Sequence, residues 1–205
     1  MGINTRPFFF NQDKNKNMPS CGTLLGRYEP CKQYVGGIKV AYFIPFEFAN
    51  RVTKDGSGII TLIDNGSNTT PIAAPFWELK GLSTMETTIT ASRDNGTSMY
   101  ETIFTLSFKP SGLTEITGDA DMDAIQTLTK GRWQIIVWDR NDQMWLLGET
   151  LGCDANGGSS SWGVQMGDAR LNTITFSSQE KLPPGIIDAN SAASIASVIT
   201  PTMPV

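Results

Sequence analysis

The 205-residue sequence contains no histidine. Serine–histidine and cysteine–histidine nucleophilic catalysis are therefore excluded, and the commonest metal ligand of proteins is missing. Carboxylates could still perform acid–base chemistry, but no pair among them stands out by its spacing. We therefore expect a protein that is not an enzyme and that needs neither a metal nor a cofactor.

Cysteine is scarce, and its three positions form no redox or zinc-binding motif. They are Cys21, Cys31 and Cys153. Cys21 and Cys31 could approach each other if their segment is a loop, but an odd number without a close pair favours buried free thiols.

Long apolar runs are absent as well. The N-terminal run of Phe8, Phe9 and Phe10 is too short for the core of a signal peptide, and no window approaches a membrane span. The formal net charge of −4 gives no strong attraction to nucleic acid or to acidic membranes. We expect a chain that is made and used without secretion and without a membrane partner.

What is present predicts a folded, mainly β protein. Hydrophobic residues make up 40% of the chain and charged residues 18%, which is ordinary for a globular domain. We divide it into an N-terminal arm (1–35), a β domain (36–184) and a small, nearly uncharged C-terminal arm (185–205).

Alternation and turn signals predict seven or more strands and one helix. Besides a long hairpin, the predicted strands cover residues 36–46, 58–64, 76–83, 132–139, 143–149 and 170–181, and the helix covers 119–131. Residues 64–71 and 153–163 are predicted loops, the second of them Gly-rich and flexible. The expected architecture is a β-sandwich or barrel with one flanking α-helix.

The predicted hairpin spans residues 84–109 and pivots on Asn95-Gly96, a pair that favours a two-residue turn. In that register Ala91 faces Tyr100 and Met85 faces Leu106. The resulting inner face is mainly apolar; its eight residues are Met85, Thr87, Ile89, Ala91, Tyr100, Thr102, Phe104 and Leu106.

The opposite face of the hairpin carries hydroxyls and two carboxylates. Its members are Thr84, Glu86, Thr88, Thr90, Ser92, Met99, Glu101, Ile103, Thr105 and Ser107, and the last predicted strand adds Thr173, Thr175, Ser177 and Gln179. A hairpin of this length is not stable alone, and its edges invite aggregation unless they are paired. Either strands of the same domain cover those edges, or neighbouring subunits cover them and close a barrel.

The order of segments resembles the tail tube (major tail) proteins of long-tailed bacteriophages. The resemblance covers about residues 76–184: "FWELKGLSTMETTITASRDNGTSMYETIFTLSFK", a helix, "GRWQIIVWDRNDQMWLLGE", a Gly-rich loop, then "QMGDARLNTITFSSQEK" and a Pro pair. It implies a β-sandwich whose hairpins close a continuous barrel in hexameric rings, stacked into a tube. DNA and a length-measuring protein would occupy the channel, other tail proteins would be partners, and the subunit would belong to the virion tail, assembled in the host cytoplasm.

Under this resemblance the polar face lines the lumen. The implied lumen-lining residues are Thr84, Glu86, Thr88, Thr90, Ser92, Glu101, Thr105, Ser107, Thr173, Thr175, Ser177 and Gln179. Glu86 and Glu101 would make the wall electronegative, so that DNA slides without binding, whereas Lys or Arg clusters would grip its phosphates.

Inter-ring contacts are expected from two segments. The Gly-rich loop would contribute Gly157, Gly158, Ser159 and Trp162, and the C-terminal arm would contribute Ile195 and Val198 by docking onto another subunit.

Three alternatives remain open. Tail-terminator, head–tail joining and decoration proteins share similar folds. Trp133, Trp138 and Trp145 could form the sugar-binding platform of a carbohydrate-binding or adhesin module, although such aromatics are more often core. Asp119, Asp121 and Asp123 copy the start of a calcium-binding EF-hand loop, but its Gly and closing Glu are Ala124 and Lys130, so we prefer acidic capping of the helix.

Overall fold

The computed structural model describes residues 35–48, 50–66, 70–79, 82–92, 94, 97–109, 120–163, 165 and 168–202. They belong to a compact unit, Tyr34–Val205. The predicted N-terminal arm except Val35, the thiols of Cys21 and Cys31, and Asp119 lie outside the described residues, as does the side chain of Asp121.

The described part is mainly β, as predicted from the sequence. Its strands are β1 (Ile38–Pro45), β2 (Arg51–Lys54), β3 (Ile60–Asp64), β4 (Ala73–Glu78), β5 (Thr84–Ser92), β6 (Thr97–Phe108), β7 (Arg132–Asp139), β8 (Met144–Leu147), β9 (Cys153–Ser161), β10 (Leu171–Glu180), β11 (Gly185–Ile187) and β12 (Thr200–Thr202), and its helices are α1 (Ala120–Lys130) and the one-turn α2 (Ala192–Ile195). The prediction missed β2 and α2, and it placed the strand of residues 76–83 too late, because β4 ends at Glu78.

The sheet follows the order β2-β3-β11-β8-β7-β9-β10-β6-β5, and β1 joins β7 to β4 and β12. Strand β7 is its branch point. On one side it pairs with β1 along most of its length, and on the other side it pairs first with β9 and then with β8. Strands β1 and β7 read as nearly continuous apolar runs because side chains on both their faces are buried.

The first core lies between β1 and β7 on one side and the sheet of β6 and β10 on the other. Phe43 reaches across it, with its ring 5.6 Å from that of Phe176 and 6.4 Å from that of Phe104. Alternate residues of β7, Ile135 and Val137, point into the same core, as alternation along a strand requires. This core therefore holds the apolar face of the hairpin against the sandwich.

The second core lies on the opposite face of β1 and β7 and includes the C-terminal segment. Ile195, Val198 and Ile199 are all fully buried there, beside Ile44 and Ile136.

The prediction that residues 185–205 form an arm that docks onto another subunit is therefore wrong. Strand β11 pairs with β3 and β8, β12 pairs with β4, and a capping box between Ser191 and Ser194 starts α2. Ile195 and Val198 are core residues of their own chain, because burying them there removes their apolar surface from water without a partner.

The hairpin of β5 and β6 forms with the predicted faces but in a different register. Met85 lies opposite Phe104 and Ala91 opposite Ser98, and the connection covers residues 93–96 instead of Asn95-Gly96 alone. The shift of each partner by two residues leaves every side chain on its predicted face, because the side-chain period of a strand is two.

The predicted loop at residues 153–163 is also wrong, since residues 153–161 form strand β9. Gly158 lies opposite Ile174, and Ser159 lies opposite Thr173 on β10. A Cβ at Gly158 would lie 2.5 Å from the carbonyl oxygen of Thr173, so the two backbones approach too closely for a side chain there. Pairing with β10 overrides the low strand propensity of this Gly- and Ser-rich segment.

Candidate assembly surface

The predicted polar residues meet on one face of a four-stranded antiparallel sheet, which we call the polar sheet. It consists of β9, β10, β6 and β5 in that order. The register aligns Thr175, Thr105 and Thr84 in one row across three strands, Ser177, Ile103 and Glu86 in the next, and Gln179, Glu101 and Thr88 in a third. Residues far apart in sequence thus form one continuous hydroxyl- and carboxylate-bearing surface.

Most of this surface is open to solvent. Thr84, Glu86, Thr88, Thr90 and Gln179 are exposed, and Ser92, Glu101, Thr105, Thr173, Thr175 and Ser177 are half-buried. Ser107 is the exception.

Ser107 is only 6% exposed, so its predicted place on the lining surface is wrong. Its backbone N–H donates to Ser83 Oγ at 2.9 Å, and Ser83 Oγ donates to the Ser107 carbonyl at 3.3 Å. These bonds join the end of β6 to the residue before β5 and bury both serines.

The polar sheet carries no positive charge of its own. Its four strands contain no Lys or Arg and four carboxylates, those of Glu86, Glu101, Asp154 and Glu180. Asp154 forms a two-point pair with Arg132, with Nε–Oδ1 and Nη2–Oδ2 distances of 3.0 Å. Glu180 accepts the backbone N–H groups of Thr150 and Leu151.

The other two carboxylates, those of Glu86 and Glu101, lie on the polar side. Among the described residues neither Glu86 nor Glu101 has a cationic partner; Glu101 Oε1 accepts only a 3.3 Å hydrogen bond from Gln179 Nε2. The surface is therefore weakly electronegative.

Both long edges of the polar sheet lack a further strand within the described part of the chain, although α1 contacts β9. Strand β5 pairs only with β6. Strand β9 pairs with β7 only through Asp154 and Cys153, so residues 155–161 have β10 on one side and no described strand on the other. Open edges of this length are binding sites for further strands.

The turn between β9 and β10 presents an aromatic ring. Trp162 is 68% exposed, and the guanidinium carbon of Arg170 lies 3.6 Å from its ring centroid. Cation–π stacking of this kind holds an exposed indole in one orientation. Of the expected inter-ring residues, Trp162 alone occupies an exposed turn, whereas Gly157, Gly158 and Ser159 lie on the exposed edge strand β9.

The three tryptophans of the sugar-binding alternative do not share a surface. Trp133 is buried in the first core, where its Nε1 donates to the Leu128 carbonyl at 2.9 Å. Trp145 packs against the same core, but Trp138 packs against the second. The prediction that tryptophans at this spacing are core residues is confirmed for Trp133.

The open edge of β9 was missed from the sequence, although its composition holds a signal. Residues 155–161 carry no charge and, apart from Ala155 and Asn156, consist of Gly and Ser only. Glycine inside a strand often marks a place where another backbone approaches closely, as the backbone of Thr173 approaches Gly158 here.

Within the described part of the chain no group of three or more Cys, Asp or Glu residues could hold a metal ion, and no helix is long and apolar enough to cross a membrane. Comparison with protein-family models, with curated proteins and with solved structures finds no match.

Proposed function

We propose that this chain is the subunit of a phage-type tail tube: it forms hexameric rings that stack around a DNA-conducting channel with an electronegative wall. One observation carries the proposal, namely a four-stranded sheet with a polar face and two open edges in the described chain.

Closure of a barrel across subunits follows from the two edges. Strand β5 of one copy can add to residues 155–161 of the next, and the same addition repeats around a ring until no edge remains. A closed barrel satisfies the backbone groups of both edges at once. The apolar side of the sheet is already packed on the first core, so only the polar side can face the enclosed space.

The charge pattern suits a channel that passes nucleic acid without retaining it. Binding of DNA rests on Lys and Arg contacts to phosphates, and the polar sheet has none. Glu86 and Glu101, repeated around each ring, repel the phosphates instead. The uncharged hydroxyls between them offer only weak, exchangeable hydrogen bonds.

Contacts between rings are assigned more narrowly than the sequence indicated. Trp162 stays a proposed inter-ring residue because it is exposed and oriented by Arg170. Gly157, Gly158 and Ser159 are reassigned to the lateral joint with β5 of a neighbour.

Proline substitution in β5 tests the joint. On an edge strand the N–H groups of successive residues point alternately to the partner strand and outward. Of Thr88→Pro and Ile89→Pro, one therefore removes a bond to β6 and the other removes only an outward donor. We expect the variant that loses only the outward donor to keep the wild-type circular dichroism and thermal transition. It should form no rings or tubes in negative-stain electron micrographs.

Thr88→Val is the matched control, because it keeps both the strand and its N–H group. It should assemble like the wild type. The proposal is contradicted if the wild-type protein sediments as a 22.3 kDa monomer, or if the proline variant that keeps the fold also assembles. Assembly that stops at single rings would instead indicate a terminator or joining protein.

A further inference from the structure

An apolar groove lies between the hairpin and the body of the same chain. Its volume is about 380 Å³, and its walls include Met85, Ile89 and Tyr100 on the hairpin and Trp145, Pro184 and Ile186 on the body. Ile89 is 64% exposed and Ile186 48% exposed. Opposed apolar walls that stay open to water are costly, and they indicate a docking surface, which we call the hairpin groove.

A second cavity of about 550 Å³ extends this apolar surface. It adjoins the hairpin groove at Pro183 and Pro184, which line both. Its walls add two exposed leucines, Leu151 and Leu182. Exposed apolar side chains that form one patch, unlike scattered single ones, mark an interaction site.

The charges beside this patch include one carboxylate without an ionic partner. Glu149 lines the second cavity and pairs with Lys54. Glu180 lines it too; its Oε1 accepts two backbone N–H groups, but it has no cationic partner among the described residues. Lys181, on the same walls, is exposed and can extend its ammonium group into solvent. A cation that enters the cavity would therefore meet the carboxylate of Glu180.

The exposed side chain of Trp162 lies toward the other end of the polar sheet. Trp162 directly follows β9, whose last residue, Ser161, pairs with the first residue of β10. Ile89 lies instead at the level of Glu180, since Tyr100 pairs with both. Nine steps along β10 separate the two levels, which is about 30 Å at about 3.3 Å per residue. Trp162 is therefore too far from Ile89 to cover it within one chain.

Trp162 also carries a cation beside it. The guanidinium of Arg170 is stacked on the indole and has no carboxylate partner among the described residues. The turn between β9 and β10 thus presents an apolar indole next to a positive charge, whereas the hairpin groove presents an apolar surface near a carboxylate. The two surfaces are complementary in both respects.

We propose that Trp162 of one copy inserts into the hairpin groove of a second copy, with Arg170 next to Glu180 of that copy. The indole covers Ile89 and Ile186, and the ion pair forms where solvent is partly excluded, which strengthens it. This inference rests on the proposed tube and gives Trp162 its binding site in the neighbouring ring.

The proposed contact is head to tail, because the indole and the groove lie toward opposite ends of the polar sheet. Such a contact leaves one free indole and one free groove in every pair of copies, so it repeats without closing. The strands of a barrel are tilted by about 35–45° from its axis, which places the two ends of each strand at opposite rims. Trp162 and the hairpin groove would therefore join one ring to the next, while the edges of β5 and β9 join subunits within a ring.

Two substitutions on opposite sides of the contact test it in negative-stain electron micrographs. Trp162→Ala removes the indole, and Ile186→Lys places a charge in the groove. Both residues are exposed, so both variants should keep the wild-type thermal transition and form rings. We expect the mean number of rings per stack to fall about tenfold or more in each, because a tryptophan that fills a pocket is a typical hot spot. Phe48→Lys, at an exposed aromatic that lines neither cavity, is the matched control and should stack normally.

Mixing the two variants identifies the partner of Trp162. Rings of the Trp162→Ala protein keep an intact groove, and rings of the Ile186→Lys protein keep an intact indole. Mixed after assembly, they should form pairs of rings and nothing longer, because only one contact surface of each ring is intact. Ile89→Lys, on the opposite wall of the groove, should replace Ile186→Lys with the same result.

Two kinds of failure are distinguishable. Normal tubes of the Trp162→Ala protein would overturn this inference and leave the tube proposal standing, and so would a mixture that forms no pairs of rings. A wild-type protein that forms no rings would overturn the tube proposal and this inference with it.

Discussion

The C-terminal segment and the hairpin both carry few charged residues, yet the first is buried in the fold and the second is partly exposed. Residues 185–202 pack against the rest of their own chain, and Ile195, Val198 and Ile199 are fully buried there. Strands β5 and β6 leave one edge, one polar face and Ile89 exposed. A low charge therefore does not by itself mark a segment for intermolecular contact, and the proposed contact rests instead on the strand edges left without a described partner.

The spacing of apolar residues separates the two cases. Val198 and Ile199 lie three and four residues after Ile195, in the turn that follows α2. The backbone N–H groups of both donate to the Ile195 carbonyl, at 2.9 and 3.0 Å, and all three side chains lie in the second core. Residues of the hairpin alternate, so half of them must face away from the core whatever covers the other half.

The largest expected difference is in stability. Ile195→Ala removes fully buried methyl groups and should lower the free energy of unfolding by about 2–5 kcal/mol. Ile89→Ala, on an exposed strand position, should change it by less than about 0.5 kcal/mol. Urea denaturation followed by tryptophan fluorescence measures both, and equal effects would break the contrast between the two regions.

Deleting residues 186–205 extends the same contrast. The deletion removes most of β11 together with α2 and β12, and it uncovers Ile60, Ile63 and Ala74. We expect a chain without a cooperative thermal transition. A truncated chain that folds normally would show that the C-terminal segment is dispensable to the second core.

Cysteine reactivity gives the next largest difference. Burial raises the pKa of Cys153 from 9.0 to about 12, which lowers its thiolate fraction near neutral pH about a thousandfold. In a Cys21→Ser, Cys31→Ser background, Cys153 should resist iodoacetamide until the protein is denatured, whereas an added Thr90→Cys on β5 should react at once. Comparable labelling rates, read by mass spectrometry, would contradict the buried environment.

The same group sets a pH dependence. The unfolded thiol ionises at a lower pH than the folded one, so its contribution to stability is complete below about pH 9 and is lost as the pH rises toward 12. In that background, Cys153→Ala should flatten the fall of the urea midpoint over this range. An unchanged slope would contradict the assignment.

A smaller effect separates two neighbouring glycines of β9. A Cβ at Gly158 meets the Thr173 carbonyl at 2.5 Å, whereas a Cβ at Gly157 meets nothing within 4 Å. Gly158→Ala should therefore destabilise the fold by about 1–3 kcal/mol through backbone displacement, and Gly157→Ala should be nearly neutral. Equal urea midpoints for the two variants would contradict the close pairing of β9 with β10.

The smallest expected effect on stability belongs to the two unpaired carboxylates of the polar sheet, Glu86 and Glu101. Glu86→Lys with Glu101→Lys should leave the urea midpoint almost unchanged, since neither side chain has a described cationic partner. The double variant should bind immobilised duplex DNA at low salt and lose it at high salt, and it should impair DNA delivery. Glu86→Gln with Glu101→Gln is the uncharged control; no difference between the two pairs would refute an electrostatic role for the polar face.

The sequence predicted which side chains share a face but not which residues lie opposite each other. Alternation assigned Phe104 and Leu106 to the core and Glu86 and Glu101 to the polar side, because strand period alone decides this. The register depended on the length of the turn. The difference in free energy between a four-residue connection, 93–96, and a two-residue Asn-Gly turn is too small to be predicted from composition.

Strand β9 could not be predicted because its pairing is non-local. Gly157, Gly158 and Ser159 have poor strand propensity, and the partner that orders them, Thr173 to Thr175, comes later in the chain. For the same reason the open edge emerged only with the fold, whereas the hydroxyl-rich face was visible beforehand.

The branch at β7 has a mechanical consequence. Strand β9 joins β7 through only two residue pairs, reinforced by the ion pair of Arg132 with Asp154, before β8 takes over the remaining length of β7. Two strands joined at this seam by only two residue pairs resist bending far less than two strands paired along their whole length. The curvature of the polar sheet can therefore adjust at this seam, whereas β7 is joined to β1 along most of its length.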